Sequence, residues 1–388
     1  MIEYSQYYTN SIYSKLLIEK IAVESPRIVL DMGIGDGSLT KAAILKWADA
    51  QYIAIDLDKR NCDAMREYSP KIRIIQEDGL KSKLNKKLKI KVGSVDVAIC
   101  NPPYEKIKFE RYHETIFKSA KLNSCINSRN ITTDIIFLAN NLSLLRKNGY
   151  LGIILPDGLL TRADLYSLRS DLINNHTLKY IIQLPDKIFH KTEARTHILI
   201  LTKGKSSYSK VKLLLSNSIG ECIDSIEVSK ESLIQRMDFT FQKWNLFQKN
   251  TGKTLFEINA EIVRGSYSHK ELKEIDLDYF HTTDFKNQNL KSFENHKYDL
   301  IGKNIAIKGD ILMARVGKRC VGKLVFIQEG NILISDCIYR IRVPKTFRKI
   351  VWDTLNSSYG QEWINVFAHG VCAQVISKKD LLNFPLDI

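Results

Sequence analysis

Two consecutive prolines, Pro102 and Pro103, cut off the apolar run Val95-Asp96-Val97-Ala98-Ile99-Cys100, and the break is flanked by Asn101 and Tyr104. The run reads as a buried strand, and proline fixes φ and removes backbone donors, so the strand must end there with its carbonyls held rigidly. At such a strand tip the Asn101 side-chain oxygen can accept one hydrogen of an exocyclic amine and the Pro102 carbonyl the other, which localises the nitrogen lone pair. Tyr104 offers a flat face on which a base can stack. This arrangement suits the modification of an NH2 group on a planar substrate.

Upstream, Arg27-Ile28-Val29-Leu30-Asp31 is followed by Met32-Gly33-Ile34-Gly35-Asp36-Gly37 and a helical stretch from Ser38 to Trp47. A β run, glycines at a spacing of two and then a helix form the strand–turn–helix of a nucleotide-binding α/β unit. Gly33 and Gly35 allow a tight turn and close approach to a ligand, although such a turn also serves dinucleotides or simply reverses the chain. The next strand, Tyr52 to Ile55, ends in Asp56 and Leu57, where a carboxylate can accept both ribose hydroxyls. A third, Ile72 to Gln76, ends in Glu77-Asp78-Gly79, placing Asp78 to accept from an adenine amino group. The carboxyl ends of successive strands are where open α/β sheets bind ligands.

With these motifs in this order, the chain resembles the S-adenosylmethionine-dependent adenine-N6 DNA methyltransferases. More narrowly, it resembles the gamma-class order, in which the cofactor half precedes the catalytic tetrapeptide and a target-recognition domain comes last. Ser5-Gln6-Tyr7-Tyr8-Thr9-Asn10 is similar to the Gly-Gln-aromatic-aromatic-Thr-Pro segment that opens many of these enzymes, with Ser5 and Asn10 replacing Gly and Pro. The resemblance implies a Rossmann-like methyltransferase sheet with helices on both faces. It also implies that Thr9, Asp31, Gly33, Gly35, Asp56, Leu57, Asp78, Gly79 and Asn101 hold S-adenosylmethionine. A target adenine, rotated out of duplex DNA because it cannot reach the strand tips while stacked, would lie between Tyr104 and Phe189.

Further helices are expected at Ile131 to Leu145 and Leu159 to Asn174, and strands at Gly149 to Pro156, Ile181 to Phe189 and His197 to Thr202. The catalytic domain is expected over residues 1–205 and a connecting region over 206–253. Residues 254–388 should form a smaller, mixed α+β target-recognition domain. Its Gly309-Asp310-Ile311-Leu312, Arg315, Gly317, Val321-Gly322-Lys323 and Ser377-Lys378-Lys379-Asp380-Leu381 resemble one recognition domain of type I restriction specificity subunits. Arg315, Lys318, Arg319 and Lys323 form a basic cluster on a predicted hairpin, suited to phosphate or guanine.

The net charge is +15, and the 22 basic and 16 acidic residues from position 240 on leave both halves positive, as expected for a partner that is a polyanion. The lysine-rich run from Lys81 to Lys91 reads as a solvated surface connection. Seven cysteines without a C-x-x-C pair argue against zinc and against a disulfide framework. No signal or membrane-spanning stretch is read, so a cytoplasmic enzyme is expected. No nuclease motif is evident, and restriction would come from a separate endonuclease or other defence subunits. Two other readings stay open: a methylation subunit of a larger restriction or phage-defence complex, and an RNA or protein-glutamine methyltransferase using the same tetrapeptide.

Overall fold

The computed structural model describes residues 9–127, 131–186, 195–205, 209–247, 252–275, 278–285, 290–295, 305–317, 319–370 and 373–386. Short Val/Ile/Leu runs bounded by glycine, proline or acid form strands β1 (Ile28–Met32), β2 (Gln51–Asp56), β3 (Ile72–Gln76) and β4 (Val95–Cys100). Helices α1 (Ser11–Glu19), α2 (Ser38–Lys46), α3 (Lys59–Tyr68) and α4 (Leu84–Lys87) precede and separate them. Two of these helices begin on side-chain caps: Asn10 accepts from the Ile12 N–H and Asp58 from the Arg60 N–H. The chain continues through α5 (Arg111–Ala120), α6 (Thr133–Leu144), β5 (Leu145–Pro156), α7 (Asp157–Thr161), α8 (Tyr166–Asn175), β6 (Thr177–Gln183) and β7 (Thr196–Thr202).

The sheet runs β3-β2-β1-β4-β5-β7-β6, extended by β8 (Lys210–Ser216) and β9 (Cys222–Ser229). Strands β1 to β5 are parallel, and β7 runs antiparallel between β5 and β6. Both faces are covered, which the strands show by alternation. Leu30, Ile153, Leu155, Leu199 and Leu201 pack on the side of α5 and α6, while Val29, Ile154, Ile198 and Ile200 pack on the side of α1 and α2. The order reverses between β1 and β4, so the connections leaving their carboxyl ends diverge and open a crevice there.

Three expected elements differ. The strand anticipated from Ile181 to Phe189 begins earlier, at Thr177, and ends at Gln183, short of Pro185, which has no N–H to give a ladder. The helix anticipated from Leu159 to Asn174 is broken at Arg162 into α7 and α8. The fully buried Arg169 guanidinium donates to the carbonyls of Leu159, Arg162, Ile234 and Gln235, so carbonyls that would continue the helix are taken by a side chain. The region expected as a connection over 206–253 contributes β8, parallel to β6, and β9, antiparallel to β8. Val211, Leu213 and Leu214 are buried there beside Ile226 and Val228, which draws the segment onto the sheet.

The chain divides into two compact units at Lys243 and Trp244, within α9 (Phe239–Phe247). The second unit contains a five-stranded sheet, β10-β17-β14-β15-β12, built from β10 (Glu261–Arg264), β12 (Leu290–Ser292), β14 (Ile311–Ala314), β15 (Leu324–Glu329) and β17 (Ile338–Arg342). A three-stranded sheet combines β11 (Tyr279–Phe280), β13 (Ile305–Ile307) and β16 (Asn331–Ile334), and helices α10 (His269–Ile275), α11 (Arg348–Asn356), α12 (Ser358–Phe367) and α13 (Lys378–Leu382) complete it. Phe280, Leu312, Val325, Ile334 and Ile338 form its core. Trp363 stacks on Phe367 and meets Phe384 edge-on. Among the described residues no helix is long and apolar enough to cross a membrane, and no group of His, Cys, Asp or Glu could hold a metal ion.

Candidate active site

The crevice at the carboxyl ends of β1, β2, β3 and β4 is a cavity of about 220 Å³. Its floor is the turn after β1, where Gly33, Gly35 and Gly37 all have positive φ, at 85°, 54° and 75°. The Gly33 and Ile34 N–H groups donate to the Ile55 carbonyl, and the Gly35 N–H donates to Asp56 Oδ2 at 2.9 Å, so the turn is bolted to the end of β2. Gly37 is closed to side chains for a second reason: a Cβ there would lie 2.2 Å from Met65 Sδ.

Asp56 lies at the tip of β2 with Oδ1 accepting from the Asp58 N–H at 2.8 Å. Asp78 follows β3, its Oδ1 accepting from the Leu80 N–H at 2.9 Å. The buried Asn140 side chain donates to the Gly79 carbonyl at 2.8 Å and fixes that turn from below. Thr9, Gly33, Gly35, Asp56, Leu57, Asp78, Gly79 and Asn101 all line the cavity, joined by Pro102 and Pro103. At the end of β4, Asn101 Nδ2 donates to Thr9 Oγ1 at 2.9 Å, and the Tyr104 hydroxyl donates to Asn101 Oδ1 at 2.9 Å.

Asp31 is the exception. It does not line the cavity; its side chain is buried beneath the turn and accepts from the Thr40 hydroxyl at 2.6 Å. Burial pushes its carboxyl up to about 7, against the lowering effect of Thr40, and its Oδ1 has no partner among the described residues. Phe189 and Lys318 lie outside the described residues. In the second unit Arg319 and Lys323 are exposed on the β14–β15 connection. Arg315 is instead tied inward: its Nη1 donates to the Asp336 carbonyl and its guanidinium lies over the Tyr339 ring.

Sequence reasoning missed Phe137, Thr133, Asn61 and Glu105 in the cavity wall. Phe137 reaches the cavity from α6, and a Cβ at Gly79 would fall 2.6 Å from its ring. The pattern at Gly79 could have signalled close packing, but nothing local in sequence pairs it with a residue almost sixty positions away. Among the described residues the charged lining is acidic, comprising Asp36, Asp56, Asp58, Glu77, Asp78 and Glu105, while Arg60, Lys81 and Lys87 pair with Asp58, Asp78 and Glu77 from beside it. Such a wall offers hydrogen-bond acceptors to a ligand carrying hydroxyls and amines.

The family model described as N-6 DNA Methylase matches residues 3–266, and the chain belongs to this family. The type I restriction enzyme MjaVII methylase subunit of Methanocaldococcus jannaschii is 24% identical over 245 residues, covering 58% of this chain and 40% of that protein. The chain thus spans less than half the length of that curated relative. The fold is shared with the methyltransferase subunit of a type I restriction-modification system from Streptococcus thermophilus, at a TM-score of 0.50 and 19% identity over 60% of this chain and 58% of that one. The type IIG restriction endonuclease BpuSI aligns at a TM-score of 0.49 and 12% identity over 96% of this chain and 57% of that one.

Proposed function

We propose that the first unit binds S-adenosylmethionine in this cavity and methylates N6 of an adenine in DNA, and that the second unit recognises the target sequence. The carrying observation is the position of Asn101: its amide stands at the cavity rim, between Thr9 on one side and the Tyr104 hydroxyl on the other. The residues present fit the cofactor. An acid-rich lining suits a sulfonium and an ammonium, and the positive-φ glycines let the backbone approach.

In this reading Asp56 accepts the ribose hydroxyls, Asp78 the adenine amine, and Leu57 and Phe137 flank the base, while Asp31 supports the turn through Thr40 instead of touching the ligand. S-adenosylmethionine, when bound, supplies the electrophilic methyl group. Asn101 Oδ1 and the Pro102 carbonyl accept the two hydrogens of the target amine and orient its lone pair, so the chain contributes positioning and stabilisation of the charge that develops on nitrogen. Tyr104 stacks on the rotated base, and Phe189 is assigned the opposite face. Arg319 and Lys323 are assigned to phosphate contacts. A separate endonuclease or other defence subunits would complete a restriction system.

Expression of the wild type, Asn101→Ala and Tyr104→Ala in a host without adenine methylation, followed by single-molecule sequencing, tests the reading. N6-methyladenine at one short motif is expected with the wild type, and a loss of about a hundredfold or more in rate with Asn101→Ala. A soluble wild type that binds S-adenosylmethionine yet marks no DNA would overturn the stand-alone reading in favour of a subunit acting only within a complex, or of an RNA or protein substrate.

A further inference from the structure

The two prolines that make the tetrapeptide rigid also deprive it of backbone donors at positions 102 and 103, so the segment cannot be stitched down by its own N–H groups there. A side chain from elsewhere does it. Thr133, buried at the first position of α6, donates its hydroxyl to the Pro103 carbonyl at 2.5 Å and accepts from the Glu105 N–H at 3.0 Å. Its own N–H donates to the Glu105 carbonyl at 2.9 Å, and the Ile107 N–H donates to the Ile131 carbonyl at 3.1 Å. One hydroxyl therefore grips the peptide groups on both sides of Tyr104. The same helix carries Phe137 into the cavity against Gly33 and Gly79.

We propose that Thr133 is a positioning residue: through its hydroxyl, α6 fixes Tyr104 and the Pro103 carbonyl in register with the cofactor cavity. The inference rests on the methyltransferase reading above but concerns a residue outside the tetrapeptide that touches no reacting atom. Only a group that donates and accepts at once can satisfy a carbonyl and an N–H at this point, which a hydroxyl does and an isosteric isopropyl group does not. Loss of both bonds lets the Tyr104 backbone shift, and a shift on the scale of an ångström at a positioned group costs about a hundredfold in rate.

The test compares the wild type with Thr133→Val, Thr133→Ala and Thr133→Ser in three measurements: methyl transfer to DNA, equilibrium binding of S-adenosylmethionine, and amide hydrogen exchange resolved at Glu105. Thr133→Val is expected to lower kcat about ten- to a hundredfold, by more than it weakens cofactor binding, and to speed exchange at Glu105 while α6 stays protected. Thr133→Ser is expected to restore both. Should Thr133→Val fail to fold, Thr133→Ala carries the same expectations. Wild-type kcat in the Val or Ala variant, a Glu105 amide as protected as in the wild type, or failure of serine to rescue would overturn the proposal. If the wild type itself methylates no DNA, the functional reading falls, and exchange at Glu105 alone decides whether Thr133 holds this segment.

Discussion

Asp31 is where a single residue most changes how the site is understood. Its carboxyl is pushed up to about 7 by burial, whereas an unfolded chain titrates it near the ordinary value of about 4. Between those values the native state holds a proton that the unfolded state has released, so stability falls as pH rises from about 4 to 7, by up to roughly 4 kcal/mol at this one site. Asp31→Asn keeps an acceptor for Thr40 and removes the titration. Its denaturant midpoint is expected to fall less steeply with pH over that interval than that of the wild type; parallel slopes would refute the assignment. That Asn101 and Tyr104 stand together after β4 was legible because the tetrapeptide is contiguous. Asp31 was misplaced because its position at a strand end tells only that it is near the crevice. Its hydrogen bond to Thr40 and its burial are facts of three dimensions.

At the scale of elements, strands bounded by glycine, proline or acid were read nearly to the residue, as β3 and β4 show. Boundaries failed where a tertiary contact overrode the local pattern, as Arg169 does between α7 and α8. The hairpin of β8 and β9 was missed because lysines and serines interrupt its apolar positions, which become meaningful only beside β6. Another such contact ties the start of α7 to β7: Asp157 and His197 are both buried and paired at 3.0 Å. Burial alone would raise the Asp157 carboxyl, yet His197, Arg195 and Arg236 together hold it below the ordinary carboxylate range. His197→Ala leaves that buried carboxylate without its nearest partner, and a loss of about 3 kcal/mol or more in unfolding free energy is expected from urea titration. An unchanged midpoint would show that Arg195 and Thr161 suffice. The charge pattern around this pair was invisible in the sequence, since its members are forty residues apart.

At the scale of the whole molecule, positive charge is spread over both units, and only the exposed cations can act on a polyanion. Arg319→Ala and Lys323→Ala are each expected to weaken DNA binding uniformly across sequences and to lower the slope of log K against log salt by about one, in anisotropy titrations across a salt series. Arg315→Ala should act differently, by loosening the contact to Asp336 and Tyr339, and should reduce thermal stability before it changes the salt slope. The resemblance of the second unit to a recognition domain rested on a handful of glycines and charges. Beneath them β14, β15 and β17 were legible as short apolar runs and α11 as a helical stretch from Arg348 to Leu355, whereas β16 and α12 carried no local signature. The acid-lined cavity has a consequence at this scale that concerns competition. A cell is filled with adenine nucleotides bearing two or three phosphates, and every one carries the base and sugar that the proposed function assigns to Asp78 and Asp56. A lining rich in carboxylates, with Arg60, Lys81 and Lys87 offsetting three of them from beside it, weighs against phosphates and toward a positively charged adenosine derivative, a bias that acts before shape is consulted.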